Sequence, residues 1–148
     1  MPIEPLSITA SVIGITRLTF DSCKTLNDTI KGIKRAPSKL KDLETSLDAF
    51  QKVIKPFEED LVNREDAALS PDQLANLRAL EPVMLYCRDI CNKFTKRVSE
   101  LTSHSDENHM AWRDRLRLNF NDSEIRLLKE NLAQCQRTLS DALGFANL

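Results

Sequence analysis

Apolar side chains recur at alternating steps of three and four along most of the chain, the spacing that lines one face of a helix. Leu40, Leu43, Leu47, Phe50, Ile54, Phe57 and Leu61 form one such seam. A second runs Leu77, Leu80, Met84, Cys87, Cys91, Phe94, Val98 and Leu101, and a third Ile125, Leu128, Leu132, Cys135, Leu139, Ala142 and Ala146. Punctuation falls between them: Gly32 with Pro37, then Ser70-Pro71-Asp72-Gln73 as a capping box with proline at the first helical position, then Asn121-Asp122-Ser123-Glu124 as another. The pattern predicts an all-α fold, an elongated four-helix bundle forming one domain, with helices at roughly 5–34, 38–66, 71–103 and 111–147. Pro56 and Pro82 interrupt the backbone hydrogen bonding inside two of these helices, and because the seams run on through both, bends are expected rather than breaks.

The first segment has a different pattern. Leu6, Ile8, Ala10, Val12, Ile13, Ile15, Leu18 and Phe20 cover more than one stripe of a helix surface. A helix apolar over most of its circumference is buried centrally, pairs with another chain, or inserts into a membrane. Its first charge is Glu4 and its first basic residue Arg17, the reverse of a secretory signal, and four hydroxyl residues dilute a run too short to span a bilayer. A cytoplasmic chain without a permanent anchor is expected.

Composition narrows the class further. The 148 residues carry 21 Lys+Arg against 22 Asp+Glu, a net charge of −1, which gives no general attraction to nucleic acid and removes it as an expected partner. With 41% hydrophobic residues and only 3 Gly, the chain suits one soluble helical domain and not a disordered or short-strand architecture. Cys23, Cys87, Cys91 and Cys135 are too few and too scattered for a disulfide framework. Cys87 and Cys91 lie one helical turn apart on one face, where a neighbouring helix would bring Cys135 or Cys23 into the same layer; zinc would need four such ligands, and reduced core thiols are the ordinary reading.

Catalytic constellations do not emerge. His104 and His109 stand in a polar stretch without a paired nucleophile, and Gly14, Gly32 and Gly144 are isolated instead of forming a phosphate loop. No enzyme, cofactor or metal is expected. Lys31, Lys34, Arg35, Lys39 and Lys41 form a basic patch between the first two helices, suited either to anionic lipid headgroups or to a solvated bundle end. A second cluster, Arg113, Arg115 and Arg117, adjoins Trp112, which reads as a core or bundle-end anchor.

The opening Glu4-Pro5-Leu6-Ser7-Ile8-Thr9-Ala10-Ser11-Val12-Ile13-Gly14-Ile15 resembles that of fungal N-terminal domains preceding STAND-type (NLR-like) ATPase, ankyrin or other repeat modules. This is the HeLo-like family named after a protein of an azaphilone pigment cluster. The resemblance continues through Ala36-Pro37, Trp112 and Ser140-Asp141-Ala142-Leu143, and so covers nearly the whole chain. It implies a non-enzymatic helical signalling module that works by protein–protein assembly, with another protein or a second copy as partner. The alternative it implies is a cell-death effector that oligomerises and perturbs the plasma membrane through its N-terminal helix. Carried over, that role falls on Leu6, Ile8, Val12, Ile13 and Ile15, with the basic patch meeting an anionic membrane surface. Arg17, the hydroxyl residues and the lack of a second apolar segment depart from a clear membrane effector, so the assembly role leads.

Overall fold

The computed structural model describes residues 5–33, 36–63, 69–103 and 122–144. Within them lie four helices and no strand: α1 (Pro5–Lys31), α2 (Ser38–Asn63), α3 (Pro71–Ser103) and α4 (Asp122–Gly144). At 1.5 Å per residue the 33-residue α3 is about 50 Å long, which makes the bundle elongated. Helix α1 stops at Lys31, three residues before the expected end, where the Gly32 N–H donates to the Asp28 carbonyl at 3.0 Å and the Ile33 N–H to the Ile30 carbonyl at 3.0 Å. Position 34, positions 64–66, positions 111–121 and positions 145–147 of the expected helices lie outside the described residues.

The start of α3 follows from its sequence. Ser70 Oγ accepts from the Gln73 N–H at 3.1 Å, and Gln73 Oε1 accepts from the Ser70 N–H at 2.8 Å, so two otherwise orphaned donors are satisfied reciprocally. Pro71 takes the first helical position, where its missing N–H costs nothing. Both α2 and α3 continue as single helices through Pro56 and Pro82, and both prolines sit on the exposed face. At the start of α4 the Glu124 carboxylate receives the Arg97 guanidinium at 2.9 and 3.4 Å, while Asn121 lies outside the described residues.

Each helix packs on two neighbours. α1 contacts α2 and α3, and α4 contacts α2 and α3, so the order around the bundle is α1, α2, α4, α3. Cross-helix pairs give the directions. Thr16 and Thr19 meet Met84 while Cys23 meets Cys91, so α1 and α3 run parallel. Arg17 meets Glu58 and Lys31 meets Asp48, so α2 runs back along α1. Arg97 meets Glu124 and Cys87 meets the Asn131 carbonyl, so α4 is antiparallel to α3. Helices α2 and α3, consecutive in the chain, therefore occupy diagonal corners of an up-down-up-down bundle.

One core runs the length of this arrangement. All seven α2 seam residues are buried, as are Leu77 to Val98 of the α3 seam and Ile125 to Ala142 of the α4 seam. The side chains of Leu101 and Ala146 are outside the described set. Full burial of a Leu, Ile or Phe side chain contributes roughly 1.5–3 kcal/mol, so these three stripes dominate the stabilisation.

Candidate functional site

Helix α1 reaches the core through a stripe that hydropathy alone passes over. Its buried positions are Thr9, Val12, Thr16, Thr19, Cys23, Leu26, Asn27 and Ile30. Omitting Asn27, the steps are again three and four, so a seam exists, but threonine fills three of its seven places. The useful signal was spacing with threonine counted as a core residue. Threonine is tolerated there because its hydroxyl finds a backbone acceptor. Thr16 Oγ1 donates to the Val12 carbonyl at 2.6 Å and lies 3.5 Å from Met84 Sδ. Thr19 Oγ1 bonds the Ile15 carbonyl at 2.8 Å and the Met84 carbonyl of α3 at 3.2 Å. A threonine side chain that touches the neighbouring helix's backbone places α1 directly against α3 at this layer.

The five residues carried over as a partner or membrane face do not share one surface. Val12 is fully buried in the core. Ile8, Ile13 and Ile15 are half-buried and pack against its edge. At about 100° per residue, Ile8 and Ile15 lie on one side of Val12 and Ile13 on the other. Leu6 falls in the first turns of α1, and its side chain is outside the described set. Leu18, in contrast, is 49% exposed, so this helix presents a large apolar side chain outward while burying hydroxyls inward.

Polar bonds attach α1 to α2. Arg17 Nε sits 2.6 Å from Glu58 Oε1, a carboxylate that is itself buried, with Lys55 Nζ at 3.9 Å from its other oxygen. Lys55 also lies over the Phe20 ring, 5.1 Å from its centroid. Near the other end of α1, Asp48 accepts from Asn27 Nδ2 at 2.6 Å and from Lys31 Nζ at 3.1 Å. The Asn27 hydrogen bond, and after it the Lys31 ammonium, hold the Asp48 carboxyl below its usual range, and the same contact raises Lys31. Among the described residues Asn27 Oδ1 has no hydrogen-bond partner.

Lys31 is therefore tied to Asp48 and not part of an uncompensated cationic surface. Lys39 and Lys41 are exposed in the first turn of α2, and Lys34 and Arg35 lie outside the described residues. An open groove of about 470 Å³ between α2 and α4 is lined by Lys39, Arg126 and Lys129 together with Asp42 and Glu130, a mixed-charge surface. His104, His109, Trp112, Arg113, Arg115 and Arg117 also lie outside the described residues.

The four cysteines meet in the core, each of them fully buried. Cys23 Sγ of α1 is 3.6 Å from Cys91 Sγ of α3. One turn earlier on α3, Cys87 lies beside Cys135 of α4 and directs its own thiol to the Asn131 carbonyl at 3.6 Å. Hydrogen bonding to Cys91, then burial, pushes the Cys23 thiol well above its ordinary range; Cys135 is raised in the same way by Cys87, which its S–H in turn holds low. The sulfurs form two pairs stacked along the bundle. Among the described residues no group of three or more His, Cys, Asp or Glu is arranged to hold a metal ion.

No helix among the described residues is long and apolar enough to cross a membrane. Neither a curated protein nor a solved structure matches the chain. One family does: its description is the N-terminal region of pigment biosynthesis cluster protein PigL, and the match covers residues 3–148. With the match running over all but the first two residues, and with the bundle and the opening motif in place, the chain belongs to the PigL N-terminal family.

Proposed function

We propose that this domain is a non-enzymatic interaction module at the head of a fungal NLR-like or repeat-containing regulator, acting in the cytoplasm by helix-to-helix assembly through α1. The observation that carries the reading is the inverted make-up of α1: Thr9, Thr16, Thr19 and Asn27 face the core, while Leu18 faces out and Ile8, Ile13 and Ile15 sit at the edge. Such a helix is held partly by polar bonds and offers apolar surface to a second protein or a second copy. Sedimentation over a range from one to several hundred micromolar tests it. Concentration-dependent assembly that the folded double variant Ile15→Glu, Leu18→Glu loses supports the reading. A wild-type protein that stays monomeric across the range counts against self-assembly, and an unaltered variant counts against α1.

A HeLo-like membrane effector is the second reading, favoured by the same helix together with the exposed Lys39 and Lys41. Dye release from anionic vesicles separates the two. Leakage abolished by Ile13→Asp in protein whose circular dichroism matches the wild type supports the effector; intact vesicles count against it.

A further inference from the structure

We infer that Cys23 and Cys91 are a disulfide-forming pair, a modification site that covalently staples α1 to α3. Their sulfurs already touch at 3.6 Å, although the residues are 68 positions apart in the chain. A disulfide needs an S–S distance of about 2.05 Å and Cα atoms within about 7 Å, so it forms only between closely approaching backbones. At the adjoining layer the Thr19 hydroxyl bonds the Met84 backbone carbonyl directly, so α1 lies against the α3 backbone there. Rotation of the two cysteine side chains supplies the remaining approach. Zinc is the less suitable occupant. Four thiolates around one zinc lie ~3.8 Å from each other given Zn–S bonds of ~2.3 Å, whereas these sulfurs form two pairs separated by a helical turn, with no metal-holding group among the described residues.

The oxidant class is a hydroperoxide. One sulfur attacks a peroxide oxygen, the O–O bond breaks, one water leaves and a sulfenic acid remains. The second sulfur displaces that hydroxyl as another water and forms the S–S bond. Two thiols and one hydrogen peroxide thus give one disulfide and two waters, the sulfurs losing two electrons and the peroxide gaining them. Both sulfurs have zero exposure, so peroxide reaches them when α1 lifts from α3, and the bond then holds α1 in place. Bond formation stands on the geometry alone; its consequence for α1 assembly rests on the function proposed above.

The test treats the folded protein with hydrogen peroxide, blocks remaining thiols with an alkylating agent, and maps peptides by mass spectrometry without reduction. The expected product is a Cys23–Cys91 cross-linked peptide that dithiothreitol cleaves, with the unfolding midpoint raised on the order of 10 °C and restored by reduction. Cys23→Ser removes both the linkage and the rise. Protein that shows no Cys23–Cys91 linkage, whether its thiols remain free or pair otherwise, overturns the inference from wild-type material alone, even if the serine variant fails to fold. Linkage that leaves assembly and vesicle leakage unchanged preserves the modification site and counts against the role given to α1.

Discussion

Helix α2 buries Leu40, Leu43, Leu47, Phe50, Ile54, Phe57 and Leu61 along one stripe with the single polar residue Glu58 beside it, whereas α1 buries Thr9, Val12, Thr16, Thr19, Cys23, Leu26, Asn27 and Ile30. The two helices are nearly equal in length, 26 and 27 residues, and pack on each other, so the difference lies in chemistry and not in reach. A buried leucine or phenylalanine gains from leaving water; a buried threonine hydroxyl roughly exchanges one hydrogen bond for another. α2 is therefore fixed to the core by apolar burial. α1 depends more on directional bonds, namely Thr19 to the Met84 carbonyl, Arg17 to Glu58, and Asn27 with Lys31 to Asp48. A bundle with one element held partly by polar bonds can exchange that element's contacts while the other three helices stay folded.

The contrast predicts unequal responses to substitution. Phe50→Ala empties a fully buried site in α2 and is expected to cost about 3–5 kcal/mol in urea unfolding. A loss under 1 kcal/mol there would remove the basis of the comparison. Arg17→Ala, which leaves the buried Glu58 carboxylate with only Lys55 at 3.9 Å, is expected to cost about 1–3 kcal/mol. Glu58→Gln should cost less, because the freed Arg17 side chain is 59% exposed and rehydrates. Equal losses in the two variants would mean that Arg17 is not a fastening of α1.

Acid provides a gentler probe. The folded Asp48 carboxyl titrates below its unfolded value, so its contribution is fully present above about pH 4 and fades as pH falls through the folded value. Wild-type protein should lose more stability than Asp48→Asn between about pH 4 and pH 2, and parallel pH profiles would place the Asn27–Asp48–Lys31 contact outside the fastenings of α1. The smallest effect is expected for Thr16→Val. It removes a hydroxyl whose bond to the Val12 carbonyl is local, so global stability should stay within about 1 kcal/mol while exchange of α1 amides slows.

Three stripes could be read directly from spacing because leucine, isoleucine and phenylalanine mark a buried face by themselves. The α3 start was equally legible, since the Ser70 and Gln73 bonds involve only four consecutive residues. α1 was not, because hydropathy points to Leu6 through Phe20 as apolar residues and gives threonine no weight, although Thr9, Thr16 and Thr19 hold the seam positions. Local spacing put Cys87 and Cys91 on one face. It could not show that Cys23 meets Cys91 while Cys135 meets Cys87, since that depends on the register between helices far apart in sequence. The burial of Glu58 was hidden for the same reason: it sits in an acidic run that reads as solvated until Arg17 arrives from α1. The order of helices around the bundle likewise has no local signature.

Native-state hydrogen exchange, followed by mass spectrometry on peptides from α1 and α2, tests most directly whether α1 is the exchangeable element. The account predicts that α1 amides between Ser11 and Ile30 open at a free energy at least about 2 kcal/mol below those of the α2 seam, through an opening that leaves α2, α3 and α4 protected. Exchange of all four helices at one common free energy, in a single cooperative step, would contradict it.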